Sequence, residues 1–392
     1  VIALLAASLL WEIPAPEQAP VDYDGAFTEA PVLDWQRRLP GTPLMAFTHS
    51  ERSRPLLAGE SVYLGSASGL SLLQLNRGTG ELEHSYPAQA SVQSQATVVD
   101  DRVYFADTGG YTHCFELGSD EPVWSHYGGA PVLSTAVAHN GLLYVANVDD
   151  TLYALDLKSG ELEWRYQRPA DIGRTSELTL LGSPAPVVAG RLLLAGFADG
   201  ALVALDLDDG ELNWERRVGE GIYPDLIATP SVVEGDVYVG GYSQPLVSFD
   251  LGTRSVRWRL DVGTAAPPTP DGDALFHGAT DGKLRKLDRA TGDVLWTWDS
   301  ETTGALTQPQ LTPAGVLVTS TDGSIYLVDS DDGALLWEWD PGFLVSGFAV
   351  APALHGRQLL GVTNAGQVVS MVSPLVSNAS RPWNLGIEPA PR

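Results

Sequence analysis

The chain repeats itself, and the length of the repeat limits what it can fold into. Residues 152–169 read LYALDLKSGELEWRYQRP and residues 202–219 read LVALDLDDGELNWERRVG. Aligning on that phrase sets a register that runs through almost all of the 392 residues. The phrase ends at Trp124 (EPVWSHY), Trp164 (GELEWRY), Trp214 (GELNWER), Trp258 (RSVRWRL), Trp296 (GDVLWTW) and Trp337 (GALLWEW). An earlier copy, RGTGELEHSY, has His84 in the tryptophan's place, and the intervals from His84 onward are 40, 40, 50, 44, 38 and 41 residues. A period near forty with no helical pattern inside it is the signature of a propeller blade.

Within a unit, alternation marks four short strands. Residues 227–262 divide into IATPSVVEG, DVYVGGYSQ, PLVSFDLGT and RSVRWRLDV, separated by Gly, Asp, Ser and Thr clusters. Most copies join the third and fourth strands by a turn of the type Asp-x-x-x-Gly. Aspartate hydrogen-bonds its own turn backbone, and glycine supplies a positive φ that other residues resist. The tryptophan then falls on the outermost strand, placed to pack against the neighbouring blade. Seven copies end at residues 84, 124, 164, 214, 258, 296 and 337. An eighth set, VAPALHGRQLLGVTNAGQVVSMVSP (350–374), has three strands and lacks the fourth. The missing strand is found at the other end of the chain, in VLDWQRRLP, with Trp35 in the motif position. The expected fold is all-β: an eight-bladed propeller of four-stranded antiparallel blades, its ring closed by the N-terminal strand joining the C-terminal blade. Such closure leaves no open sheet edge. The expected organisation is an apolar N-terminal segment and Pro-rich linker over 1–30, the propeller over 31–374 and a tail over 375–392.

Composition narrows the partners. Apolar content of 44% with 41 Gly and 27 Pro suits a turn-rich β protein with a large core. Against 49 Asp plus Glu stand 23 Lys plus Arg, a net charge of −26, which repels nucleic-acid phosphates and anionic lipid. One cysteine, Cys114, excludes an intrachain disulfide and a Cys-based zinc site. The opening VIALLAASLLWEIPAPEQAP resembles the apolar core of an export signal, too short to span a bilayer and followed by no lipid-accepting cysteine.

No catalytic constellation is legible. The seven histidines are scattered without metal-ligand spacing, and no nucleophile elbow, phosphate-binding loop or dinucleotide fingerprint is present. The acidic turns DLDDG (206–210) and DSDDG (329–333) place glycine fifth, where a calcium loop of the EF-hand type needs it sixth, so they read as hairpin turns. No cofactor and no metal are expected.

Function in a repeat protein is sought where copies depart from the pattern. Two consecutive connections are long: RYQRPADIGRTSELTLLGSP after Trp164, and ERRVGEGIYPDLIATP after Trp214. They emerge on the same rim and carry apolar residues among charges. Arg174, Leu178, Leu180 and Leu181 in the first, and Tyr223, Asp225 and Ile227 in the second, form a candidate protein-binding patch. The opposing possibility is that the apolar residues fold back onto the next blade.

The repeat phrases ALDLKSGELEW, ALDLDDGELNW and LDRATGDVLW resemble those of PQQ-like repeat propellers. Within them, residues 176–214 are similar to the BamB family of outer-membrane β-barrel assembly lipoproteins, the resemblance covering about 33–374. That family's Leu-x-Leu-Arg-Gly loop corresponds to Leu178-Thr179-Leu180-Leu181-Gly182, and its Asp-x-Asp before a Thr-Pro to Asp225-Leu226-Ile227 before Thr229-Pro230. Leu181 replaces the family's arginine and Ile227 its second aspartate, which removes one charge of each sign. The resemblance implies a non-catalytic periplasmic scaffold, outer-membrane associated and monomeric within a complex. Its two loops would dock to a POTRA domain of a barrel-forming subunit that handles nascent outer-membrane proteins. Membrane association would come only through a partner or a lipid anchor not seen here. The alternatives are a quinoprotein dehydrogenase, whose repeats are similar, and a secreted or surface propeller that binds another protein or a glycan.

Overall fold

The computed structural model describes residues 22–40, 51–168, 184–221, 223–342 and 347–375. Over these residues the chain forms 32 strands in eight four-stranded antiparallel sheets. Blade 1 spans residues 56–87, blade 2 97–127, blade 3 137–167, blade 4 187–217, blade 5 231–263, blade 6 269–299 and blade 7 310–339. Blade 8 closes the ring by pairing β1 (Val32–Arg38) with β32 (Gln367–Val372), followed by β31 (Gln358–Val362) and β30 (Ala353–His355). Its register runs from Val32 opposite Val372 to Arg38 opposite Gln367. The strand around Trp35 is thus the fourth strand that residues 350–374 lack.

Blade 3 shows why the sequence reads as it does. It consists of β10 (Val137–His139), β11 (Leu142–Ala146), β12 (Thr151–Asp156) and β13 (Leu162–Gln167). Strands β11 and β12 are buried at nearly every position because neighbouring blades cover both faces. They therefore appear as apolar runs and not as an alternation. The core is divided accordingly into eight clusters, each shared by consecutive blades. Between blades 3 and 4, Tyr144, Leu152 and Trp164 meet Leu193, Phe197 and Val203.

The repeated phrase locks one blade to the next. Trp164 donates its Nε1–H to the Leu207 carbonyl at 3.1 Å, and a Cβ on Gly210 would stand 2.4 Å from its ring. Gly210 also has φ of +71°, so glycine is required by its own backbone and by its neighbour. The same contact joins Trp35 to Arg77 and Gly80, Trp124 to Leu157 and Gly160, Trp258 to Arg289 and Gly292, and Trp296 to Ser330 and Gly333. Two copies depart. In blade 2 Asp120 takes the glycine's place, and the residue facing that turn is His84, whose Nε2 lies 3.0 Å from the Ser119 carbonyl. In blade 5 Arg254 takes it, at φ of 59°, and Trp214 packs on Phe249 with centroids 5.5 Å apart.

A β-bulge beside the tryptophan position recurs in the outermost pair of every blade. In blade 3, Ala154 pairs with Trp164 while Leu155 pairs with Leu162, leaving Glu163 as the extra residue. The bulge breaks the two-residue period, so Leu162 turns outward at 48% exposure while Trp164 is buried.

Antiparallel meanders place every blade-to-blade connection on one rim. The segments preceding the innermost strands line an axial cavity of about 670 Å³, to which all eight blades contribute. Residues 22–30 lie against the ring. Phe27 is buried with Leu317 and Phe348, and Ser373 Oγ accepts the N–H groups of Thr28 and Glu29 at 3.2 and 3.0 Å. The apolar segment up to residue 21 and the tail from 376 lie outside the described residues.

Candidate functional site

Of the two long connections, residues 169–183 lie outside the described residues, and with them Arg174, Leu178, Leu180 and Leu181. The second leaves β17 (Leu212–Arg217) and enters β18 (Ser231–Val233). Its position is set by Gln244, a buried residue at the start of β20 (Gln244–Asp250). The Gln244 amide donates to the carbonyls of Glu220 and Tyr223 at 2.9 and 2.6 Å, and its Oε1 accepts the Glu220 N–H at 2.9 Å. Glycines let the connection lie close. A Cβ on Gly219 would fall 1.9 Å from the Pro224 carbonyl oxygen, and one on Gly241 1.8 Å from that of Asp225.

Held in this way, the connection sends its side chains in different directions. Tyr223 is 44% exposed at the rim, and Asp225 is buried. Leu226 enters the core between blades 4 and 5 with Trp214, Val239 and Phe249. Ile227 lines the axial cavity. Residues that are neighbours in the sequence therefore divide among rim, core and axis.

The connection into blade 1 departs from the repeat in charge. Glu51, Arg52 and Arg54 stand where blade 2 has Val92, Gln93 and Gln95 and blade 3 has Val132, Leu133 and Thr135. Glu51 is 1% exposed; its Oε2 accepts the Ala67 N–H at 2.8 Å, and Oε1 has no partner among the described residues. Burial pushes its carboxyl up to about 7, against the opposing pull of that hydrogen bond. Arg54 braces the ring, donating to Gln308 Oε1 and Gln310 Oε1 at 3.1 Å each and to the Pro352 carbonyl at 3.3 Å. Burial holds the guanidinium groups of Arg52 and Arg54 below the usual arginine value. This connection, residues 39–55, is itself long, but it stands apart from the two consecutive long connections after Trp164 and Trp214, so a search for neighbouring long loops passes over all three. The signal that finds them is a comparison of charge at equal register between copies.

One constellation of catalytic type is assembled by the fold. His113 Nε2 lies 3.0 Å from Asp107 Oδ2, and its Nδ1 lies 2.9 Å from Ser125 Oγ. The Asp107 carboxylate is already spent on backbone: it accepts N–H groups from Gln89, Ala90, Gly109 and Tyr111. Burial raises its carboxyl, but His113 and these N–H groups outweigh burial and leave it below the ordinary value. The group staples the turn at 107–111 to the incoming connection, a structural task. His277 is fully buried, and its ring nitrogens have no hydrogen-bond partner among the described residues. Burial, then the nearby Arg285, lowers it to about 3, so it is neutral and fills core volume.

Among the described residues no three His, Cys, Asp or Glu side chains converge as a metal site. Cys114 is buried between blades 2 and 3, and burial pushes its thiol up to about 11. The calcium-held quinone of the dehydrogenases needs carboxylate ligands at the axis, and no Asp or Glu is found among the described lining of the cavity. The donor set present does not fit that cofactor. No helix long and apolar enough to cross a membrane occurs among the described residues.

Residues 86–298 match the family described as outer membrane protein assembly factor BamB. The outer membrane protein assembly factor BamB of Moranella endobia is 23% identical over 247 residues, covering 61% of this chain and 62% of that protein. The chain therefore spans less than two thirds of this relative's length. The crystal structure of BamB from Moraxella catarrhalis superposes with a TM-score of 0.74 at 20% identity, covering 88% of this chain and 100% of that one. A quinohemoprotein alcohol dehydrogenase from Pseudomonas putida superposes at 0.66 and 14% identity, covering 90% of this chain and 78% of that one. At these identities the structural likeness is one of fold.

Proposed function

This chain belongs to the BamB family of outer membrane protein assembly factors, and on that premise we propose that it is a non-catalytic periplasmic scaffold of outer-membrane β-barrel assembly. It associates with the outer membrane through its partners. Its docking surface draws on the two connections that follow Trp164 and Trp214, and its partner there is a POTRA domain of the barrel-forming subunit. The observation that carries this reading is the build of the second connection. Three hydrogen bonds from Gln244 and the anchoring of Leu226 hold its backbone, while Tyr223 stays 44% exposed. A pre-ordered loop that presents an aromatic side chain binds at little entropic cost.

Affinity purification of the full chain from its own cell envelope tests the proposal. The native chain is expected to recover a POTRA-containing barrel protein. Tyr223→Asp or Leu178→Asp is expected to reduce that recovery about tenfold with an unchanged melting temperature. Recovery of no such protein, or recovery indifferent to both substitutions, refutes the docking surface.

A further inference from the structure

The axial cavity has a charge opposite to that of the molecule around it. The chain carries a net −26, yet the charged residues in the described lining are Arg52 and Arg54, with no carboxylate among them. Arg54 is occupied, bracing blades 7 and 8. Arg52 has neither a hydrogen bond nor an ion pair among the described residues. Gln93, the next lining residue around the ring, likewise makes no hydrogen bond among the described residues. A half-buried guanidinium without a counter-ion is a cost to the fold, and low-dielectric walls focus its field on whatever enters.

Across the axis the lining is largely apolar, with Thr229 and Ser231 among it. Blade 5 stands four blades from blade 1 and so lies across the axis. It contributes Ile227, with Ala265, Ala266 and Pro267 of the connection into blade 6 beside it. Leu133 extends the apolar surface from blade 3. A cavity of about 670 Å³ with one cationic, amide-lined wall facing an aliphatic wall has the size and polarity of a small-molecule site.

We propose that the axial cavity binds a small organic acid, with Arg52 and Gln93 holding its carboxylate and the wall around Ile227 and Ala265–Pro267 covering its apolar body. The site shares Ile227 with the second connection but is read by ligand binding at Arg52 and not by recovery of a partner, so its failure and that of the docking surface are distinguishable.

Isothermal titration of the full chain with octanoate, octanamide and inorganic phosphate at fixed ionic strength tests this. Octanoate is expected to bind one to one with Kd below about 1 mM. Octanamide lacks the charge and phosphate lacks the apolar body, and each is expected to bind at least about tenfold more weakly. Arg52→Gln is expected to weaken octanoate about tenfold, and Arg52→Lys less. Because Arg52 has no hydrogen-bond or ion-pair partner among the described residues, neither variant should lower the melting temperature. In the unaltered chain, octanoate is expected to slow phenylglyoxal modification of Arg52, read by mass spectrometry, which needs no variant to fold. Absence of saturable octanoate binding, equal affinity for octanamide or phosphate, undiminished affinity in Arg52→Gln, or an unprotected Arg52 would each overturn the proposal.

Discussion

A carboxyl group at 1% exposure, with one oxygen on the Ala67 N–H and the other unpartnered among the described residues, sits comfortably only while it keeps its proton. For Glu51 the folded value of about 7 lies above the ordinary 4.5, so folding favours the protonated form. The stability this contributes is whole below pH 4.5 and is lost as pH rises through about 7. Glu51→Gln should therefore match the native chain near pH ~4 and exceed its unfolding free energy by about 3 kcal/mol near pH ~8. Urea unfolding at the two pH values measures the difference, and a gap that ignores pH would contradict the buried carboxyl. The turn aspartates act in the opposite sense. Asp156, Asp250 and Asp288 are held below the ordinary value chiefly by the N–H groups of Ser159, Thr253 and Thr291, and that contribution disappears in acid. The aspartates were legible in the sequence because five of the seven turns repeat them. Glu51 was not, because a single glutamate in a connection outside the repeat carries no sign of where it is buried.

At the scale of the element, the unit of stability is the tryptophan of one blade closing over the turn glycine of the next. Gly210→Ala places a methyl group 2.4 Å from the Trp164 ring and strains a φ of +71°. We expect a loss of about 3 kcal/mol, read by denaturant unfolding. Blade 5 offers the reverse experiment, since Arg254 already occupies the positive-φ position. Arg254→Gly should gain up to about 1 kcal/mol. Equal stability of Gly210→Ala and the native chain would show that the ring yields freely and that the lock is not energetic. The turn and the outer-strand tryptophan were both readable from GELEW and its copies. The bulge was not. Glu163 looks like any polar residue of an alternating strand, and only the pairing of Leu155 with Leu162 reveals the extra residue.

For the whole molecule, closure decides whether eight blades behave as one body. Strand β1 completes blade 8, and Trp35 fills the contact over Gly80 in blade 1, so seven residues seal an edge and an inter-blade layer together. A chain beginning at Gly41 exposes the edge of β32 and empties that layer. Its melting temperature should fall by about 10 °C or more, and it should self-associate. Light scattering after size exclusion reads the second effect. A truncated chain that stayed monomeric with unchanged melting would mean that the ring is held shut elsewhere, Arg54 and its glutamine partners being the next candidates.

By itself, the sequence determined the fold class, the number of blades, the closing strand and the residues that join neighbouring blades. Those features are periodic: each copy restates one local rule, turn chemistry followed by an outer-strand aromatic, and a rule repeated seven times survives two exceptions. Only the tertiary structure decided where the exceptions lead. Tyr223, Leu226 and Ile227 diverge to rim, core and axis because Gln244, some twenty residues downstream, fixes the backbone between them. Arg54 meets Gln308 and Gln310 because ring closure brings the first blade around to the seventh. Arg52 faces a shared axis for the same reason. A side chain's surroundings there are made by eight separate stretches of chain, and no window along the sequence contains them.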